Sequence, residues 1–305
     1  MVGDSVRALG ELEGKGRIYA VLDGARDPRV ARLVVGSAPG WCLYRGKLPQ
    51  ELADAAPQLL ELRPGHDYAD TFFRVGWRNG WGVLLASAAP QPALYRHLRR
   101  MLLARSESGR SFVFRYYDPR VLRLYLPSCT AEEVERFLGP IAAVVAEAEE
   151  EGQFNVFRRA AAGFEHLRVE RDAAPRPVRT WPAAQPGLSR GPLLLRQPQI
   201  DAMADPLVRK YTDGVVAWVA AEFPDQFEWR QESGVRALVA RAITSAKTYR
   251  MTGTAETTGL LSLMLILGDD FEAREENAWM LKILRNEAVP PAQKVRMILE
   301  ELKAI

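Results

Sequence analysis

FVFRYYDPRVLRLYL, residues 112–126, is the stretch on which the reading of the fold turns. Phe112, Phe114 and Tyr116 alternate with Val113, Arg115 and Tyr117, the two-residue period of a β-strand. Pro119 cannot donate to a sheet ladder, so the strand is expected to stop there. Asp118 is a favourable N-cap and Pro119 pre-sets the first helical turn. Val121, Leu122, Leu124 and Tyr125 then fall at helical spacing. The stretch reads as a strand that enters a helix through an Asp-Pro cap. Arg115 and Arg120 are placed to pair with carboxylates. A catalytic cluster would need a nucleophile or base close by in sequence, and the stretch holds none.

Upstream, strand-like and helix-like segments alternate. Arg17–Leu22 reads as a strand, Asp27–Val35 as a short helix starting at Asp-Pro, and Trp41–Tyr44 as a second strand. Leu59–Leu62 is a short apolar run, and His66–Gly76 has a helical pattern. Trp77 and Trp81 flank Arg78-Asn79-Gly80, a turn signal suited to positive φ. Trp81–Ala86 is apolar throughout, as a strand buried on both faces would be. Pro92–Ala104 puts Leu94, Leu98, Met101 and Leu102 on one helical face and Arg96, Arg99 and Arg100 on the other. Downstream, Thr130–Leu138 starts with a capping box, Thr130 with Glu133. Glu147 and Glu149–Glu151 read as a solvated helix end, and Gln153–Arg158 as a last strand. Such alternation points to an α/β layer over residues 1–170 with a mixed sheet and flanking helices.

The chain changes character from Arg171 to Gln197, with five prolines, five arginines and one aspartate. Residues 171–198 read as a Pro/Arg-rich linker or arm. Residues 199–305 are helical in pattern, an all-α lobe. Ile200, Met203, Leu207, Tyr211, Val215, Trp218 and Val219 form one stripe. Val235, Leu238, Val239 and Ile243 form another. Leu260–Leu267, apolar nearly all round, is the expected central helix. Pro290-Pro291 marks the start of the last one.

The composition excludes several classes. Net charge is only +3 over 305 residues, which argues against general nucleic-acid binding. Of the 41 basic residues, 34 are arginine. Cys42 and Cys129 stand far apart in no motif, so neither a disulfide framework nor a zinc site is expected. His66, His97 and His166 have no metal-ligand spacing. No nucleophile elbow or phosphate loop occurs, and no cofactor is expected. The first residues lack an apolar core for a signal peptide. The longest apolar run, Leu260–Gly268, is too short for a membrane span, so a cytoplasmic location is expected. Asp269-Asp270 follow a helix C-terminus, where carboxylates oppose the helix dipole; they read first as a solvated loop and, as the alternative, as contacts for a basic partner. Trp229, beside Arg230, is a candidate binding anchor.

Five segments in order carry a resemblance. They are YAVLDGARDPRV (19–30), WCLYRGKLPQELADAAPQLLEL (41–62), WGVLLAS (81–87), LYRHLRRML (94–102) and FVFRYYDPRVLRLYL. Together, across about residues 17–150, they resemble the domain of unknown function numbered 4123, found in adaptor (effector chaperone) proteins of the bacterial type VI secretion system. The helical lobe, with LMLILGDDF before Trp279, is similar to the tail of such adaptors.

The resemblance implies a non-enzymatic protein that binds a toxic effector and loads it onto the VgrG spike, with no nucleic acid or membrane partner. Arg115, Tyr117, Arg120, Trp229, Asp269 and Asp270 are the candidate partner contacts, with Asp118 and Pro119 a structural cap. An apolar effector segment would lie in a groove between the lobes, as a helix or an added strand. The alternative is a hydrolase or transferase on an α/β scaffold. It would need Asp23, His97, Arg115 and Asp118 to converge at strand ends.

Overall fold

A computed structural model describes residues 10–35, 40–63, 66–170, 173–184, 193–251 and 253–303. The chain divides into two compact units, residues 1–203 and 204–305.

The first unit is built on strands β1 (Arg17–Asp23), β2 (Gly40–Cys42), β3 (Pro57–Glu61), β4 (Gly82–Ser87), β5 (Leu103–Ser106), β6 (Ser111–Val113), β7 (Ala143–Glu147), β8 (Gln153–Ala160), β9 (Gly163–Glu170), β10 (Arg176–Pro182) and β11 (Leu193–Leu195). Its helices are α1 (Pro28–Val35), α2 (Gln50–Ala55), α3 (Asp67–Thr71), α4 (Gln91–Met101), α5 (Pro119–Tyr125) and α6 (Ala131–Leu138). Eight strands form one sheet in the order β10-β9-β8-β7-β4-β1-β3-β2, antiparallel at every pairing. The mixing of strand directions falls in a small sheet, β11-β5-β6, where β11 runs parallel to β5.

Side chains alternate across the large sheet, so one face takes Tyr19, Val21, Val83, Leu85 and Val144, and the other Ala20, Leu22, Leu84, Ala86 and Val145. Both faces are covered. On the first, α4, α5, α6 and the small sheet supply Leu94, Leu98, Leu122, Phe137 and Leu193. On the second, Val30, Phe72, Trp77 and Trp81 close the core. All six residues of β4 are therefore buried.

Several local expectations change. The strand in the 112–126 stretch ends at Val113, not at Tyr117. The Phe114 N–H turns back to Leu102 O (2.8 Å), and the Asp118 N–H closes a turn on Arg115 O (2.9 Å). A turn has no two-residue period, which is how adjacent Tyr116 and Tyr117 both become buried. The helix from residue 91 ends at Met101, because Leu103–Ser106 is claimed by pairing with β6 and β11. Gln153–Arg158 is not the last strand. Cross-strand pairs such as Arg158–Glu165 hold β9 against β8, and their charged outward residues hide the pattern. Glu147 ends a strand and not a helix. In the 171–198 stretch, Arg176–Pro182 joins the edge of the large sheet and Leu193–Leu195 joins the small one. Residues 171–172 and 185–192 of that stretch lie outside the described residues, as do residues 1–9 at the start of the chain.

The second unit is all helical. Helix α7 (Gln197–Glu222) begins in the first unit, where Ile200 and Met203 pack on the sheet's core. From residue 204 onward it supplies Val215, Val216 and Val219 to a separate core. Leu207, expected in the buried stripe, is 72% exposed. Helices α8 (Pro224–Thr248), α9 (Thr254–Leu267), α10 (Ala278–Arg285) and α11 (Pro291–Leu302) complete the unit. Leu260, Leu261, Leu263, Met264 and Leu265 make α9 its central element, though Ile266 is exposed. Among the described residues no helix is long and apolar enough to cross a membrane.

Candidate protein-binding surface

The antiparallel order β7-β4-β1 brings the end of β7, the start of β4 and the end of β1 to one edge of the large sheet. Glu147, Gly80-Trp81 and Asp23 meet there. The Asp23 N–H donates to Trp81 O (2.7 Å). The turn after β6 lays Arg115 over this edge, where its guanidinium donates to the fully buried Asp23 carboxylate. Asp118 caps α5 and is held by its own helix. The Arg120 backbone N–H, Nε and Nη2 donate to it at 3.0, 2.9 and 2.6 Å. Burial alone would raise the Asp118 carboxyl, but these bonds from Arg120 outweigh it and the net shift is downward. The same Asp-Pro-Arg geometry starts α1. There Arg29 donates through its backbone N–H, Nε and Nη2 to Asp27 at 2.9, 3.0 and 2.7 Å, and Trp81 Nε1 adds a bond of 3.3 Å. The motif is thus used twice as a self-clamped cap.

Glu147 is the residue at this edge that sequence reasoning missed, because it is hidden in an acidic run. It accepts the Gly80 N–H (3.3 Å). Burial, helped by the negative charge of Asp118, pushes its carboxyl up to about 7.

Of the four residues an enzyme would need together, Asp23, Arg115 and Asp118 share this junction and His97 does not. His97 sits on α4 with Nε2 2.8 Å from Phe137 O, its ring packed where a Cβ on Gly139 (φ 49°) would stand 2.5 Å away. Burial lowers its pKa. His166 is paired with Asn155 Oδ1 (2.8 Å) and stacked on Phe157, and burial pushes it down to about 4. Burial pushes the Cys129 thiol up to about 12. These groups are packing elements in their resting states. Among the described residues, no group of three or more His, Cys, Asp or Glu side chains could hold a metal ion.

Tyr117 leads from the junction to a cleft. It is buried, and burial together with neighbouring Tyr44 raises its phenol pKa. Tyr44 lines a cleft of about 800 Å3 with Leu43, Leu48, Leu102, Leu103 and Val113, together with Ala93, Arg45, Arg96, Arg99 and Arg100. The loop after β2, helix α4 and the β5–β6 hairpin build it, all within the first unit. Leu103 and Val113 are 63% and 57% exposed. They are direct partners in the β5–β6 ladder, so they stand side by side on one face.

The remaining candidates lie in the second unit. Trp229 is 74% exposed on α8, two residues before that helix is interrupted at Gln231 (φ 58°). The buried Arg230 guanidinium lies 4.6 Å from the Trp229 ring centroid and 2.5 Å from Asp269. Arg241 is a second partner of Asp269 at 3.6 Å, and Arg274 pairs with Asp270 at 2.6 Å. The carboxylates behind the α9 C-terminus therefore have internal cations.

No curated protein and no solved structure matches the chain. Residues 18–136, which hold the Asp-Pro-Arg caps, the junction residues from Asp23 to Arg120 and the whole cleft, match the family model described as Domain of unknown function (DUF4123).

Proposed function

We propose that this chain is a non-enzymatic adaptor that binds a toxic effector of a type VI secretion system and presents it to the VgrG spike. The five ordered segments in residues 19–126 support the reading. The observation that carries it is the cleft. An exposed aliphatic floor with an arginine rim is the composition of a protein-docking surface, and a reaction centre would need convergent acid, base or nucleophile groups. His97, one of the four residues of the enzyme alternative, is turned away into the α4–α6 packing, so those four do not converge.

The test is co-expression with candidate type VI effectors from the same source and with the C-terminal region of the spike, followed by affinity capture and size exclusion. A stoichiometric complex, with the effector insoluble on its own, is the expected result. Failure of both partners to co-elute at micromolar concentrations removes the proposal.

A further inference from the structure

We infer that the cleft of the first unit docks an acidic segment of a partner protein, one that carries aliphatic anchor residues between its carboxylates. The inference takes from the adaptor reading only that the partner is a protein.

Three observations lead to it. The floor is aliphatic, and its two most exposed members, Leu103 and Val113, are adjacent within a concavity rather than scattered over a convex surface. Four guanidiniums rim the floor. Arg96, Arg99 and Arg100 lie at i, i+3 and i+4 on α4, and Arg45 faces them from the loop after β2. Among the described residues no acidic residue lines the cleft.

Among the described residues none of these four arginines has a carboxylate within ion-pair distance. Arg96 donates to Pro92 O, and Arg99 lies over Tyr95. Elsewhere in the unit Arg29, Arg115, Arg120, Arg158, Arg159, Arg168 and Arg196 all have carboxylate partners. Like charges gathered without counter-charge repel one another, and an incoming carboxylate relieves that repulsion.

The third observation is that β6 is the last strand of its sheet. Among the described residues no strand pairs with its outer side, beside the cleft, where a segment could be added. Nucleic acid is the weaker fit, because stacking sites use aromatic platforms and Tyr44 is the one aromatic in the lining.

The test uses the full chain and a fluorescent amphipathic peptide of leucine and glutamate, about four helical turns long. Binding is followed by anisotropy at low and high salt. The controls are the lysine counterpart of the peptide, a glycine and glutamate peptide of equal charge, and an oligothymidine. The leucine and glutamate peptide is expected to bind best. Its affinity should fall about tenfold or more in Arg96→Glu/Arg100→Glu, and severalfold in Leu103→Ser and in Arg45→Glu, with unchanged melting curves because all four side chains are exposed.

Equal binding by parent and variants overturns the inference, and so does tighter binding of the oligothymidine. The effector and spike capture is run in parallel on parent and Arg96→Glu/Arg100→Glu. If the parent captures the effector or the spike and the variant retains it equally, the cleft assignment falls and the adaptor reading stands. If the peptide results hold but the parent captures neither protein, the adaptor reading falls and the cleft assignment stands.

Discussion

At the residue scale, most of the polar groups that drew attention in the sequence are clamped by neighbours. Asp118 accepts three bonds from the next residue but one, and Asp23 is sealed under Arg115. Asp118→Ala removes the cap and strands part of the Arg120 guanidinium, at an expected cost of about 1–2 kcal/mol in chemical denaturation. A folded Asp118→Ala that loses partner binding outright would show that the residue touches the partner directly. Glu147 is the pH-sensitive member of the junction. Its folded pKa of about 7 lies above the ordinary carboxylate value of 4.5, so the folded state keeps a proton that the unfolded chain has released. Its contribution is therefore present at low pH and lost as pH rises through 7. Glu147→Gln should flatten the stability profile between about pH 4.5 and 7, with a relative gain at the upper end of about 1–3 kcal/mol. An unaltered slope would mean that Glu147 is solvated. In the second unit, Lys294 is 4% exposed and donates to Tyr249 O and Leu284 O at 3.1 and 2.6 Å. One cation thus serves the C-terminal ends of two helices, α8 and α10. Lys294→Met leaves both carbonyls unpaired, at an expected cost of about 2–3 kcal/mol.

At the scale of elements, the large sheet is strongest in the middle. Strands β4 and β1 are buried on both faces, whereas β10 is an edge strand with a register shift between Pro177 and Arg179. It is held by Trp181, whose Nε1 donates to Cys129 O (2.9 Å). Hydrogen exchange should be slowest in β1 and β4 and fastest in β10. Trp181→Ala should cost about 3 kcal/mol and leave the amides of β10 exchanging freely. If those amides remain as protected as the β8–β9 pair, the ladder alone holds the strand. Helix α6 shows the opposite case, an element specified locally. Thr130 and Glu133 form the reciprocal cap read from the sequence, with bonds of 3.3 and 2.8 Å, and Glu133 also takes Arg196 at 2.8 Å.

At the scale of the whole molecule there are two self-contained cores, one organised on both faces of the sheet and one around α9. Among the described residues, the side chains gathered around Leu260, Met264 and Ile298 in the second core all come from residues 204–305. A fragment of residues 204–305 is expected to give a helical circular dichroism spectrum and a cooperative melt, and Lys294→Met should lower its midpoint. A fragment without a cooperative transition would show that the helical core depends on the rest of the chain.

The elements whose determinants are local were legible in the sequence. The Asp-Pro caps of α1 and α5, the capping box of α6, the apolar run Trp81–Ala86 that enters β4 and the largely apolar second half of α9, Leu260–Leu267, all follow from neighbours within a few residues. The early end of β6, the fate of residues 176–182 and 193–195, and the exposure of Leu207 were decided by tertiary structure. Each depends on which distant backbone offers hydrogen bonds or a covering surface, and no local period records that. The same holds for the candidate surface. Arg96, Arg99 and Arg100 were visible as the polar face of a helix, but their lack of carboxylate partners is a property of the folded chain. So is the pairing of Leu103 with Val113 beneath them, because charge balance and exposure are set by what the fold brings near and what it leaves uncovered.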